Sequence, residues 1–374
     1  MEAAEILSGA DAANALLLAA ADAADMEMAR AALAAGADAN ASGLRGIVEG
    51  VSALMLAART GALDLVQLLA EAGADIGALD SAGESALMRA AAGGFIEIVQ
   101  FLHGKGAALE TADFSGASAL MLAAEGGHVK TMEFLLEHGA DIHAAPAPLE
   151  RTALLHAAGG GHVAALELLL QRGADIGVVD YSGGSALMRA AEHGHVAAAH
   201  FLAGCGLDVN ATDYYGATAL MRAAGRGHVD MLRFLLGCGA STNAADHESK
   251  TALMMTAIAG HKAAAQILLD ADADIAATDE DGLTALMHAA AGGRLEVLRL
   301  LLEYGANVNI RNHWGRTALM AAVARAHVEI VRMLLGRGAN FRAIDNGGNT
   351  ALSIAQVQGS TAIAALLREA GAQA

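Results

Sequence analysis

Residues 279–306 read DEDGLTALMHAAAGGRLEVLRLLLEYGA, and this stretch contains each element of the fold. An Asp-x-x-Gly turn, Asp279 to Gly282, precedes Thr284, a residue suited to the N-cap of a helix, and small and apolar residues follow it. A glycine break then leads to a second amphipathic segment, which ends at Gly305, where a glycine suits the left-handed C-cap. The stretch therefore predicts a turn followed by two short helices.

The same pattern recurs along most of the chain at a fixed period. Its Thr/Ser-Ala-Leu segment begins at Ser52, Ser85, Ser118, Thr152, Ser185, Thr218, Thr251, Thr284, Thr317 and Thr350. Every spacing is 33 residues except one of 34, and a degenerate copy at Asn14 raises the number of units to eleven. A strict period of this length is typical of repeat architectures, in which stacked units together bury an apolar face that one unit cannot bury alone.

These features resemble the ankyrin repeat over roughly residues 5–374. One departure is consistent, because the Thr-Pro-Leu-His motif of that family is here Thr-Ala-Leu-Met. The resemblance implies an all-α solenoid of stacked helix-turn-helix units with short β-hairpin-like tips. It also implies that the chain holds other proteins through its tips and a concave groove, without catalysis.

The period also predicts how the chain is organised. We expect a single solenoid over residues 1–374, with an N-terminal capping unit at about 1–46, nine internal units at 47–344 and a C-terminal capping unit at 345–374. Asp272 and Ala326 stand where other units have glycines. A left-handed backbone penalises a Cβ, so both positions are expected to be local weak spots.

Charge and composition narrow the classes of function. A net charge of −18 argues against nonspecific binding to nucleic acid or to anionic membranes. No apolar run approaches the roughly 20 residues that span a bilayer. A secretory signal requires basic residues near its start, and here no basic residue precedes Arg30. We expect a cytoplasmic chain whose two cysteines, Cys205 and Cys238, remain free thiols.

Residues that could carry chemistry mostly recur at the repeat period. Six histidines occupy a Gly-His position and are expected to bond to local backbone groups, while eight methionines after Ala-Leu are expected to form a core ladder. No common catalytic or phosphate-binding motif is present. We therefore expect no enzyme, no catalytic residue, no cofactor and no metal site.

Two groups of side chains are not required by the repeat. The first group follows the turn Asp at the tips and comprises Phe114, Tyr181, Tyr214, Tyr215, His247, His313 and Trp314. The second group is expected in the groove and comprises Arg89, Arg189, Arg222 and Arg226. The alternative interpretations are that the tip aromatics only pack on their neighbours, and that the arginines form a solvated, partly salt-bridged face.

These groups predict a scaffold or adaptor that binds another protein. Aromatic anchors would supply buried contact, and the arginines would select a partner with an acidic patch. Tyrosines and arginines coincide only around Tyr181 to Arg226, so we expect the binding centre there. The alternative is a structural role in which solenoids self-associate through apolar end segments, Leu16–Leu18 and Ile363–Leu367.

Overall fold

The computed structural model describes residues 9–43 and 49–372, so the expected N-terminal capping unit lies partly outside the described residues. The described residues form 22 α-helices, two in each repeat. Their bounds are Gly9–Asp22 (α1), Met26–Ala34 (α2), Ala53–Thr60 (α3), Leu63–Glu71 (α4), Ala86–Ala92 (α5), Ile96–Gly104 (α6), Ala119–Glu125 (α7), Val129–Glu137 (α8), Ala153–Gly160 (α9), Val163–Gln171 (α10), Ala186–Glu192 (α11), Val196–Gly204 (α12), Ala219–Arg226 (α13), Val229–Gly237 (α14), Ala252–Ala259 (α15), Lys262–Asp270 (α16), Ala285–Ala291 (α17), Leu295–Glu303 (α18), Ala318–Ala324 (α19), Val328–Gly336 (α20), Ala351–Val357 (α21) and Thr361–Glu369 (α22). The expected all-α fold is confirmed.

The helices fall into two compact units, Met1–Tyr181 with α1–α10 and Ser182–Ala374 with α11–α22. Within each unit, the first helix of a repeat packs on the first helix of the next repeat, as α3 does on α5 and α13 on α15. Second helices stack in the same way, as α14 does on α16. The predicted stacking of helix pairs is confirmed in both units. No helix of the described residues is long and apolar enough to cross a membrane.

From α3 onward, the first helix of each repeat begins after a Ser or Thr N-cap, as the sequence predicts. The hydroxyl of Ser85 accepts the N–H of Met88 at 3.2 Å, and the sulfur of Met88 lies 3.4 Å from the Ser85 N–H that it accepts in return. The same reciprocal contact occurs between Ser52 and Met55. Methionine thus closes a capping box in which Glu or Gln would usually stand.

The tips are the hairpin-like segments that the repeat predicts. Asp213 accepts the backbone N–H groups of Tyr215 at 2.9 Å and Ala217 at 2.8 Å through the same carboxylate oxygen. The turn lets Thr212 and Thr218 pair as an isolated antiparallel bridge. A buried carboxylate that accepts two backbone N–H groups fixes the turn, so the residues after it have defined positions.

The apolar core lies between the stacked helices. The eight methionines after Ala-Leu, from Met55 to Met320, are only 1–2% exposed, so their predicted role as a core ladder is confirmed. Leucines beside them, such as Leu87 and Leu286, are buried to the same degree. Burying one such side chain contributes about 1.5–3 kcal/mol, and each repeat buries several against its neighbours.

The two residues that replace regular glycines adopt the left-handed backbone expected of them. Asp272 and Ala326 both have φ of 58°, and the equivalent Gly305 and Gly293 have φ of 86° and 72°. The register assigned from the sequence is therefore confirmed at both positions. A side chain at such an angle is strained, because its Cβ approaches the backbone.

Replacing Asp272 or Ala326 with glycine should stabilise the protein by about 0.5–1 kcal/mol each, because the left-handed strain is removed. Urea unfolding monitored by circular dichroism measures the change. Ala271→Gly is the matched control, since Ala271 has φ of −100° and gains no relief. That control should destabilise the protein by about 0.5 kcal/mol. Destabilisation by both Asp272→Gly and Ala326→Gly would contradict this account of the strain.

Candidate functional site

Two of the groove arginines, Arg89 and Arg222, are held by the turn carboxylate of their own repeat. Arg222 donates to Asp213 at 2.6 Å, and Arg89 pairs with Asp80 and, at 2.8 Å, with Glu84. The arginine follows the turn Asp by nine residues in both repeats. For Arg89 and Arg222, the structure therefore matches the alternative interpretation of a salt-bridged face.

One carboxylate, Glu192 at the end of α11, joins three of the predicted site residues. It accepts from Arg226 at 2.9 Å, from Arg222 at 3.1 Å and from Arg189 at 3.3 Å. The Glu192 side chain is only 17% exposed, whereas that of Arg226 is 62% exposed. Sequence reasoning missed Glu192. The signal that could have found it is Glu125, which stands at the same repeat position and contacts His156 of the next repeat at 3.1 Å.

The arginines also change the acidity of Glu192. Burial alone would raise the pKa of Glu192, but the hydrogen bond from Arg226 and the charges of Arg222 and Arg189 outweigh burial and lower this pKa below its ordinary value of 4.5. Glu192 is therefore ionised at neutral pH. It neutralises part of the positive charge that the sequence suggested for this groove.

The first residue after the turn Asp contacts the tip of the preceding repeat. The N–H of Tyr214 donates to the carbonyl of Ser182 at 2.9 Å, and its ring lies against Gly183. Phe114, His247 and His313 make the same two contacts with the tips before theirs. These rings thus stack on neighbouring tips, although Phe114 and Tyr214 keep most of their surface exposed.

The second residue after the turn Asp lies instead at the wall of a groove. Tyr215, together with Arg222, Arg226 and Met255, lines a groove of about 370 Å³, which we call the Tyr215 groove. Trp314 lines a similar groove of about 380 Å³ in a later repeat, which we call the Trp314 groove. The two tip positions that the sequence treats alike are therefore different in the structure.

The structure brings together only part of the predicted site. The second compact unit contains Arg189, Arg222 and Arg226 around Glu192, with Tyr215 beside Arg222 and Arg226. Tyr214 is at the same tip as Tyr215 but lies against the preceding tip. The remaining predicted residues lie elsewhere: Arg89, Phe114 and Tyr181 are in the first unit, and His247, His313 and Trp314 are at later tips of the second.

Histidines at the Gly-His position join neighbouring repeats, and the two cysteines are unpaired with each other. The ring Nε2–H of His228 donates to the carbonyl of Glu192 at 2.9 Å, and His128 bonds in the same way to Ala92. The acceptors belong to the preceding repeat, not to the local backbone as the sequence suggested. Cys205 and Cys238 are free thiols, and no cluster of potential metal ligands occurs among the described residues.

Family models for ankyrin repeats match nearly the whole chain. The description "Ankyrin repeats (3 copies)" matches residues 2–80, 54–146, 220–312 and 304–374, and "Ankyrin repeats (many copies)" matches 154–203 and 187–236. The chain is an ankyrin-repeat protein. Comparison with curated proteins gives no match.

Membership of the ankyrin-repeat family carries a general function. Ankyrin repeats are generally protein-interaction modules, and their proteins are typically scaffolds without enzymatic activity. In this ankyrin-repeat protein, exposed aromatic side chains lie at the tips, and Tyr215 and Trp314 each line a groove.

Replacing Glu192 with Gln should lower the free energy of unfolding by about 1–2 kcal/mol near pH 7, because the charged hydrogen bonds from the arginines weaken. The folded pKa of Glu192 is lowered, so its stabilisation is present above 4.5 and is lost as the pH falls through the folded pKa. Urea unfolding of both proteins should therefore show a difference at neutral pH that shrinks in acid.

Glu303→Gln is the control for this measurement, because Glu303 is an exposed residue at the end of α18. Its effect should stay within about 0.5 kcal/mol at every pH. A Glu192→Gln difference that is independent of pH would show that the three arginines do not stabilise the ionised carboxylate.

Proposed function

We propose that this ankyrin-repeat protein is a scaffold that binds another protein through the tips and the Tyr215 groove of its second unit. The observation that carries the proposal is the pair Tyr214 and Tyr215, which are 65% and 63% exposed although each has a fixed backbone position. Tyrosines on rigid backbone lose little conformational entropy when a partner covers them. Such residues are typical anchors of protein interfaces.

The charges beside these tyrosines define the contacts available to a partner. Arg189 and Arg222 already bond to acids within the chain, so they position Glu192 and the groove wall more than they attract a partner. Arg226 presents most of its side chain to solvent. We propose that Arg226 makes the contact with an acidic patch, since rim charges mainly steer association and select among partners.

Self-association is the second candidate function, and exposed apolar side chains favour it. Leu16 is 39% exposed in α1 and Val357 is 88% exposed in α21. However, Leu17 beside Leu16, and Ile363 and Leu367 of the expected C-terminal end segment, are buried within the fold. The ends therefore offer scattered apolar residues, and sedimentation velocity at two concentrations separates this candidate function from the first.

Replacing Tyr214 and Tyr215 together with Ala should weaken binding of a partner by at least about 2 kcal/mol, because two interface anchors are lost. The immobilised parent recovers partners from native cell extract, and titration calorimetry then compares the affinities of the parent and the variant. The unfolding midpoint should change little, because both rings are mostly exposed.

Phe114→Ala is the matched control, since Phe114 is another exposed tip ring that contacts the preceding tip but lies in the first unit. It should affect the affinity less than the tyrosine pair does. A partner that binds the double variant as tightly as it binds the parent would remove the Tyr215 groove from the proposal.

A further inference from the structure

The Trp314 groove occupies the same place in the repeat as the Tyr215 groove, three repeats later. Trp314 corresponds to Tyr215, and Arg325 corresponds to Arg226. Ile354 corresponds to Met255, and both line their grooves. The two grooves are therefore built on one backbone plan, and the side chains that differ between them decide what each groove can hold.

Both acids of the Tyr215 groove are missing from the Trp314 groove. Ala291 stands in the place of Glu192, and Asn312 stands in the place of the turn Asp. Asn312 still accepts the backbone N–H groups of Trp314 at 3.1 Å and Arg316 at 2.8 Å, so the tip keeps its turn. The exchange thus removes two negative charges without changing the support of the groove.

Arg325 at the edge of the Trp314 groove corresponds to Arg226, but it lacks the acidic partner that Arg226 has in Glu192. Arg325 is exposed, and no carboxylate of the described residues pairs with its guanidinium. The residues lining the groove include Arg316 as well and no acid. Arg316 contacts Asp345 at 3.4 Å, and its side chain remains 56% exposed. The Trp314 groove is therefore a positive site in a chain of net charge −18.

Apart from a few uncharged polar side chains such as Gln358, the rest of the Trp314 groove is apolar. Ala321 replaces the Arg222 of the other groove, and Ala324 and Ile354 lie beside it. Trp314 is 50% exposed at the wall. Without the long arginine side chain, the groove can receive an aliphatic side chain in addition to a charged group. Concave sites of this size usually combine an apolar lining with a few polar groups that fix orientation.

We propose that the Trp314 groove binds an extended peptide segment of a partner protein that carries a Glu or Asp beside an apolar side chain. The Tyr215 groove already contains such a carboxylate–arginine pair, because the carboxylate of Glu192 accepts a hydrogen bond from Arg226 at 2.9 Å. The carboxylate of the peptide takes the equivalent place above Ala291 and pairs with Arg325. The neighbouring apolar side chain packs on Ala321, Ile354 and Trp314. The inference rests on the proposed protein-binding function, and it names the chemistry that this second groove selects.

The test uses short random peptides displayed on phage and selected against the full chain. Selected peptides are synthesised with both ends blocked, and their binding is followed by the fluorescence of Trp314, the only tryptophan of the chain. The selection should enrich an acidic residue next to an apolar one. Replacing that acid by its amide should weaken binding at least about tenfold, as expected for loss of a charged hydrogen bond.

Variants of the groove assign the effect to Arg325. Arg325→Gln should weaken the selected peptides at least about tenfold, and Ala291→Glu should do the same by supplying a carboxylate from within the chain. Ala291→Gln is the matched control of equal size, and it should bind at least about tenfold more tightly than Ala291→Glu. Arg332→Gln removes an exposed arginine of α20 and should leave binding unchanged.

The outcomes separate this inference from the proposed function. Peptides that bind Arg325→Gln as tightly as the parent, or that tolerate the amide, overturn the Trp314 groove as an acidic-peptide site. Failure to select any peptide that changes Trp314 fluorescence overturns it too. If the selected peptides instead depend on Tyr214 and Tyr215, the inference fails and the proposed function stands. If, in addition, a recovered partner binds the Tyr214 and Tyr215 double variant as tightly as the parent, both the inference and the proposed function fail.

Discussion

The structure depends on the fact that a single pair of helices cannot bury its own apolar face. A repeat of 33 residues supplies one row of Met, Leu and Ala, and only the next repeat can cover that row. Stacking therefore forces equivalent residues into register, first helix on first helix and tip on tip. The same register also aligns the surface side chains that the core, the caps and the turns do not require. Equivalent surface positions therefore form rows with a common geometry.

The turn Asp fixes the backbone at the tips, so the side chains in those rows have defined positions. In the repeat of Asp213, one carboxylate oxygen holds the tip by accepting two backbone N–H groups, and the second oxygen receives Arg222, nine residues later. The tip and the first helix are thereby joined on the groove side. A residue directly after the turn Asp then takes one of two positions. It stacks on the preceding tip, as Tyr214 does, or it forms a groove wall, as Tyr215 does.

The two grooves show how a repeat can vary its surface without changing its fold. In the Tyr215 groove, Glu192 and Asp213 occupy the arginines, and the exposed tyrosines with Arg226 are left for contact. In the Trp314 groove the equivalents of both acids are neutral, and Arg325 has no such partner among the described residues. Substitutions at equivalent positions thus change the charge of the groove surface, while the caps, the turns and the core remain the same.

Periodicity predicted the fold, but it could not predict the site fully. The caps, the methionine ladder and even the left-handed angles of Asp272 and Ala326 follow from the 33-residue register, because each is repeated many times. Glu192 has an equivalent acid in only one other repeat, Glu125, and its three arginine partners come from two repeats, so the repeat pattern does not reveal the cluster around it. The difference between the two tip positions depends on which way a side chain leaves the turn, and that requires three-dimensional structure.

The central claim is that partners bind on the side of the tips and first helices. Photo-crosslinking tests it most directly, with a benzophenone amino acid placed at position 215 and, in a second protein, at position 233 of the second helix α14. Both positions are exposed, so both probes can react with whatever covers them. The account predicts crosslinks to a bound partner from position 215 and none from position 233. Crosslinks from position 233 alone would show that the partner uses the opposite face and would contradict it.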